Sequence, residues 1–167
     1  MVKKIRDFVD PKNFVCVSAD TTVFEAVKKA SELFVGGVLV TKDGDLAGIF
    51  TENDLGRRVI SKGLDPKTTS IQSVMTSNPV TVDSNTDVDT CMFMMMRNNF
   101  RHIPLRDSSG KVYAVASVRD VLKAKIEEIN KLSEASNVFE ATNHVDSKGE
   151  DTISQITNQY KVRVCGF

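Results

Sequence analysis

The chain has 167 residues, enough for about one domain and for burying roughly two thirds of the surface its unfolded form exposes. At 41% hydrophobic and 26% charged, its composition is globular and excludes collagen-like, wholly disordered and coiled-coil chains. Lysine plus arginine equals aspartate plus glutamate at 22 each, so no global basic field gathers nucleic acid or an anionic membrane, and partners have to be recognised locally.

The first residues, Met1-Val2-Lys3-Lys4-Ile5-Arg6-Asp7, meet an acid before any apolar core of signal type, and no apolar run reaches the ~18 residues of a membrane span. The expectation is a soluble, cytoplasmic protein. Cys16, Cys91 and Cys165 are widely spaced, with no C-x-x-C and only His102 and His144 as imidazoles, which argues against a metal site. Their odd number also argues against an oxidising compartment. Cys91 falls in an apolar stripe and is expected in the core, whereas Cys165, beside Gly166 and Phe167, is expected as an exposed thiol.

Along the chain, Val15 to Val17 reads as a short strand. Asp20-Thr21-Thr22 starts a helix, with Thr22 and Glu25 spaced as a capping box and Val23, Val27, Ala30 and Phe34 on one face. Gly37 to Thr41 and Leu46 to Phe50 form a hairpin around Lys42-Asp43-Gly44-Asp45. Thr51-Glu52-Asn53-Asp54 opens a second helix that buries Leu55, Val59 and Ile60. Gly63 to Ser70, polar and broken by glycine and proline, is a linker.

The same order then recurs. Val15, Val17, Thr21 and Val23 return as Val80, Val82, Thr86 and Val88, an offset of 65. Gly44, Leu46, Ile49, Thr51 and Asp54 return as Gly110, Val112, Val115, Ser117 and Asp120, an offset of 66, so the second turn holds one extra residue. Val88, Cys91, Met92, Met95 and Met96 have helical spacing, and the methionines read as flexible core filling rather than a copper site. Ile103 to Leu105, a turn at Asp107 to Gly110 and Val112 to Ala116 follow. A last helix from Val118 carries Val121, Leu122, Ile126 and Ile129 on one side. Each unit is strand, helix, strand, strand, helix, an α/β architecture. The first repeat with its linker is expected over 1–70 and the second over 71–132. Residues 133–167 form a polar tail, loose to Asp151, whose end from Thr152 to Phe167 reads as an added strand or the start of another domain.

Thr51-x-x-Asp54 and Ser117-x-x-Asp120 occupy the same strand-to-helix corner in both units. A hydroxyl and helix-start amides there suit a phosphate, and a carboxylate one turn on suits the two hydroxyls of a ribose. The alternative is a helix cap worth about 1 kcal/mol that needs no ligand. Ser84-x-x-Asp87 and Thr86-x-x-Asp89 match the same tetrapeptide and read as caps alone.

The run Gly44-Asp45-Leu46-Ala47-Gly48-Ile49-Phe50-Thr51-Glu52-Asn53-Asp54-Leu55, together with Arg101-His102-Ile103-Pro104-Leu105-Arg106-Asp107, resembles the cystathionine-β-synthase (CBS) domain, here as a tandem pair or Bateman module. The resemblance covers about residues 10–130. It implies two copies packed through their sheets with pseudo-two-fold symmetry, and two clefts that take AMP, ADP, ATP or S-adenosylmethionine. By that analogy Asp54 and Asp120 hold ribose hydroxyls, Thr51 and Ser117 contact phosphate or ribose, and Cys16 and Thr81 line the adenine pockets. Arg101, His102 and Arg119 supply charge for phosphates, which marks the Ser117–Asp120 cleft as the polyphosphate site. Two departures stand out: Gly36-Gly37 replaces a hydrophobic-Pro segment, and Ala114 replaces a glycine matching Gly48, where its methyl would crowd a ligand approaching closely.

No phosphate loop, bracketed histidine or paired nucleophile points to catalysis. Arg57-Arg58 is a short basic patch too small to indicate nucleic-acid binding. The expectation is a regulatory, energy-sensing homodimer without catalytic cofactor or metal, acting on its own assembly or on a regulated protein partner. The competing expectation is a ligand-free dimerisation scaffold.

Overall fold

The computed structural model describes the backbone of residues 2–143 and the side chains of residues 2–133. The expectations for Cys165 and for Thr152 to Phe167 lie outside the described residues. Residues up to Glu128 form one compact unit, and those from Ile129 a second.

In the first repeat, β1 (Val15–Ser18) alternates strictly, sending Val15 and Val17 inward and Cys16 and Ser18 outward, as a period of two requires. Helix α1 (Val23–Glu32) starts on the expected box: Thr22 Oγ1 accepts from Glu25 N, and Thr22 N donates to the Glu25 carboxylate. It leads back to β2 (Gly37–Lys42), parallel to β1, and a turn through Asp43 and Gly44 returns the chain antiparallel as β3 (Asp45–Thr51). A short β4 (Thr76–Ser77) adds to the far edge, giving the order β1-β2-β3-β4. The second repeat is β5 (Val82–Asp83), α3 (Val88–Asn98), β6 (His102–Arg106), β7 (Val112–Ser117) and α4 (Val118–Asn143), with sheet order β5-β6-β7.

Five local expectations are corrected. The helix after Thr51 is only three α residues, α2 (Glu52–Asp54), continued by a π turn over Leu55–Val59 and a 3-10 turn over Ile60–Lys62 that leaves Ile60 60% exposed. Gly56, the residue least committed to α geometry apart from proline, sits inside the π turn. Phe34 lies beyond the end of α1 with a φ of 54°, and Met96 leaves the core for solvent. Among the described side chains of α4, Val121 and Ala124 are buried, while Leu122, Ile126 and Ile129 face solvent. Finally, α4 runs on to Asn143, because no proline or glycine stops it where the polar tail was expected to begin.

Each repeat has its own core, and each core borrows an isoleucine from the segment that precedes the other repeat. Ile5 is fully buried among Val88, Cys91 and Ile103 of the second repeat, with its N–H donating to Thr86 O. Ile71, 66 positions on, is fully buried in the first, with its N–H donating to Thr21 O. The pairings Lys4–Asp87 and Thr22–Ser70 repeat the same exchange. The two repeats are therefore laced together.

Candidate functional site

Both Thr/Ser-x-x-Asp corners are closed in the same way. Thr51 donates to Asp54 Oδ2 through its backbone N at 2.9 Å and its hydroxyl at 2.7 Å, and Ser117 donates to Asp120 Oδ2 at 2.7 and 2.6 Å. The next amide in each corner is also engaged: Glu52 N donates to Gly36 O and Val118 N to Arg101 O. The helix-start amides that the sequence offers to a phosphate are thus partly consumed by the loop before each middle strand. Each corner therefore keeps fewer free amides than its sequence offers.

Each corner nevertheless opens on a cavity built from both repeats. One, about 430 Å³, joins Ser117, Arg119 and Asp120 to Phe14, Phe34 and Gly37 of the first repeat. The other, about 480 Å³, joins Thr51, Asp54 and Arg57 to Asn78, Asn99 and Phe100 of the second. Gly36, Glu52, Arg101 and His102 line both, forming a common wall. Of the sequence-predicted residues, Thr51, Asp54, Ser117, Asp120, Arg119, Arg101 and His102 are brought to these clefts. Cys16 and Thr81 line neither cavity: Cys16 is on the outward face of β1, and the Thr81 hydroxyl accepts from Arg106 Nε at 2.9 Å. The residues that do reach the clefts from those segments come just before them, Asn13 and Phe14 in one repeat and Pro79 and Val80 in the other.

The corners differ in their second oxygen. Asp54 Oδ1 takes Arg58 Nε at 3.2 Å, and Arg58 also donates to Val74 O. Alanine 124 stands at the position matching Arg58, and Asp120 has no partner for Oδ1 among the described residues. At the positions matching Arg101, His102 and Arg119 the first repeat has the uncharged Gly36, Gly37 and Asn53, and the basic side chains of its cleft are instead Arg57 and Arg58. They were legible as a basic pair, but only the turn that follows Asp54 aims them into the cleft.

His102 occupies the wall. A Cβ on Gly36 would lie 3.2 Å from its Nε2 and 3.4 Å from a Glu52 carboxylate oxygen, so the diglycine makes room for the imidazole. Burial, and secondarily the Arg101 charge, holds its pKa below the ordinary value of 6.5 against the opposing pull of Glu52 and Asp120, so the ring is neutral at pH 7. Ala114 lines neither cavity; it is fully buried in the second core. Gly48 is required instead by β4, because a methyl there would sit 2.9 Å from Thr76 O and against the Met75 sulfur.

The CBS domain family model matches residues 5–61 and 71–127. The chain belongs to the CBS-domain family. As a CBS pair it is similar to the CBS domain-containing protein CBSX3, mitochondrial, of Arabidopsis thaliana, with 36% identity over 116 residues that cover 66% of this chain and 56% of that protein. It thus spans little more than half of that relative. The crystal structure of the CBS-domain containing protein ATU1752 from Agrobacterium tumefaciens matches at 33% identity and a TM-score of 0.67, covering 74% of this chain and 99% of that one. Two more distant structures share the fold alone. One is the CBS domain protein PAE2072 from Pyrobaculum aerophilum complexed with AMP, at 21% identity, TM-score 0.64, and 71% and 89% coverage. The other is the CBS domain pair of MJ0100 in complex with 5′-methylthioadenosine and S-adenosyl-L-methionine, at 19%, 0.68, and 77% and 99%. Among the described residues, no helix is long and apolar enough to cross a membrane.

Proposed function

We propose that this CBS pair is a regulatory module that binds an adenosine-containing ligand, of the AMP, ADP, ATP or S-adenosylmethionine class, in one or both clefts, and acts as a sensor and not as a catalyst. The observation that carries it is the opening of both Thr/Ser-x-x-Asp corners onto cavities of about 430 and 480 Å³, each walled by both repeats and of the size small-molecule sites have. Asp54 and Asp120 are the ribose acceptors, Thr51 and Ser117 their hydroxyl neighbours, and Arg101, Arg119 and His102 the polar wall. The AMP and S-adenosylmethionine complexes of the two distant CBS structures support the same ligand class.

Occupancy is passed on through differential affinity for two assembly states, either of the protein with itself or with a regulated partner. The solvent-facing apolar residues Phe93 and Met96 on α3 and Leu122 and Ile126 on α4 support helix-mediated homodimerisation. We place the protein in the cytoplasm, although the Arabidopsis relative carries a mitochondrial name.

Thermal melts with AMP, ADP, ATP and S-adenosylmethionine test this. A ligand at ~100 times its Kd adds about 2.7 kcal/mol to the folded state, a rise of roughly 5 to 10 °C. Asp120→Ala should remove the shift that arises in its cleft while costing the unliganded protein only about 1 kcal/mol of capping. A second reading, the ligand-free scaffold, is favoured by the closed caps at both corners, and it prevails if no ligand moves the melt.

A further inference from the structure

The two clefts, equivalent by pseudo-symmetry, differ in what they present to a ligand. The Thr51–Asp54 cleft carries Arg57, Arg58 and Arg101 against Asp54 and Glu52. Because Arg58 and Asp54 neutralise each other at 3.2 Å, Arg57 and Arg101 face a single carboxylate. The Ser117–Asp120 cleft carries Arg101 and Arg119 against three carboxylates, Asp10, Glu52 and Asp120. One cleft is therefore net cationic and the other net anionic. Neither Arg57 nor Arg101 has a side-chain hydrogen bond or ion pair among the described residues, so both guanidinium groups are uncommitted.

The aromatic residues are unequal as well, Phe14 and Phe34 in the anionic cleft against Phe100 in the cationic one. Asn99 and Phe34 are matching positions, 65 apart, and both have a φ of 54°. Asparagine tolerates that left-handed backbone, whereas a bulky phenylalanine is strained in it. Phe34 is nonetheless 90% exposed, so its ring repays the strain with no burial, and it lines the anionic cleft together with Phe14. An aromatic face beside uncompensated carboxylates attracts a cation, through the ring quadrupole as well as through charge.

We propose that the clefts divide ligands by charge. The Thr51–Asp54 cleft takes adenosine compounds bearing phosphate, with Arg57 as its specificity residue. The Ser117–Asp120 cleft takes adenosine compounds that are cationic, such as a sulfonium, with Phe34 and Asp10 as its specificity residues. This rests on adenosine binding as proposed above and reverses the polyphosphate assignment that the sequence suggested. Arg101 lines both clefts, so a phosphate that recruits it deepens the negative charge of the neighbouring cleft and favours the cation there.

Calorimetric titration of the whole chain with AMP, adenosine and S-adenosylmethionine tests the division. Arg57→Ala should weaken AMP at least tenfold and leave S-adenosylmethionine unchanged. Phe34→Asn, which keeps a residue suited to the left-handed backbone, and Asp10→Asn should each weaken S-adenosylmethionine several-fold and leave AMP unchanged. Loss of AMP in Arg119→Ala but not in Arg57→Ala, or equal losses of both ligands in every variant, overturns the division while leaving adenosine binding intact. If none of the three compounds binds the unaltered chain, the adenosine reading and the division fall together.

Discussion

The His102 imidazole rests on Gly36 and Gly37, with no room for a methyl group at Gly36 without moving the ring. Gly36 and Gly37 are the first-repeat counterparts of Arg101 and His102. At this matched pair of positions, the second repeat contributes the side chains and the first the space. Gly36→Ala should shift the imidazole by a few tenths of an ångström, seen as changed histidine ring signals in NMR spectra. Unmoved ring signals would contradict the packing.

Acid should weaken the fold through the same residue. The unfolded imidazole titrates near 6.5 and the folded one lower, so below that pH the unfolded chain binds a proton the folded chain resists. The neutral ring's contribution is whole above about pH 6.5 and is lost as the pH falls from there through the folded value. In urea unfolding across that window, His102→Gln should show a shallower loss of stability than the parent; an equal slope would place the effect elsewhere.

Ile5 lies far in sequence from the core it completes. Ile5→Ala should cost about 2–5 kcal/mol, as a fully buried large-to-small change does, whereas Ile60→Ala, at a 60% exposed site, should stay within about 0.5 kcal/mol. Equal, small effects would mean that the segment before β1 does not hold the second repeat.

Gly48 and Ala114 are matching positions, and each should be destabilised by taking the other's residue. Gly48→Ala forces a methyl toward the Thr76 carbonyl and should destabilise by about 1–3 kcal/mol. Ala114→Gly removes a buried methyl from a strand and should cost about 1 kcal/mol with no gain in ligand affinity. Tighter ligand binding in Ala114→Gly would restore the crowding idea.

Thiol labelling of the native chain, read by peptide mass spectrometry, should modify Cys16 and spare Cys91. Burial pushes the Cys91 thiol up to about 11 and leaves it without solvent contact, whereas Cys16 is exposed on β1. Rapid labelling of Cys91 would show the second core opening.

The repeat, its strand-helix-strand-strand-helix order and both Thr/Ser-x-x-Asp corners were legible in the sequence, because each depends on local signals: alternation at Val15 to Ser18, the Thr22–Glu25 box, and glycine at the turns. Three things were not. Ile5 and Ile71 exchange cores through contacts with no local periodicity. Arg57 is aimed by a π turn that apolar spacing alone does not foretell. The apolar stripe of α4 divides between core and solvent according to which neighbour covers it, so Val121 is buried and Leu122 is not. Chain order and hydrogen-bonding chemistry determine which groups are available, but the distances that turn them into a cleft are set when two sheets pack, and packing is decided by residues far apart in the chain.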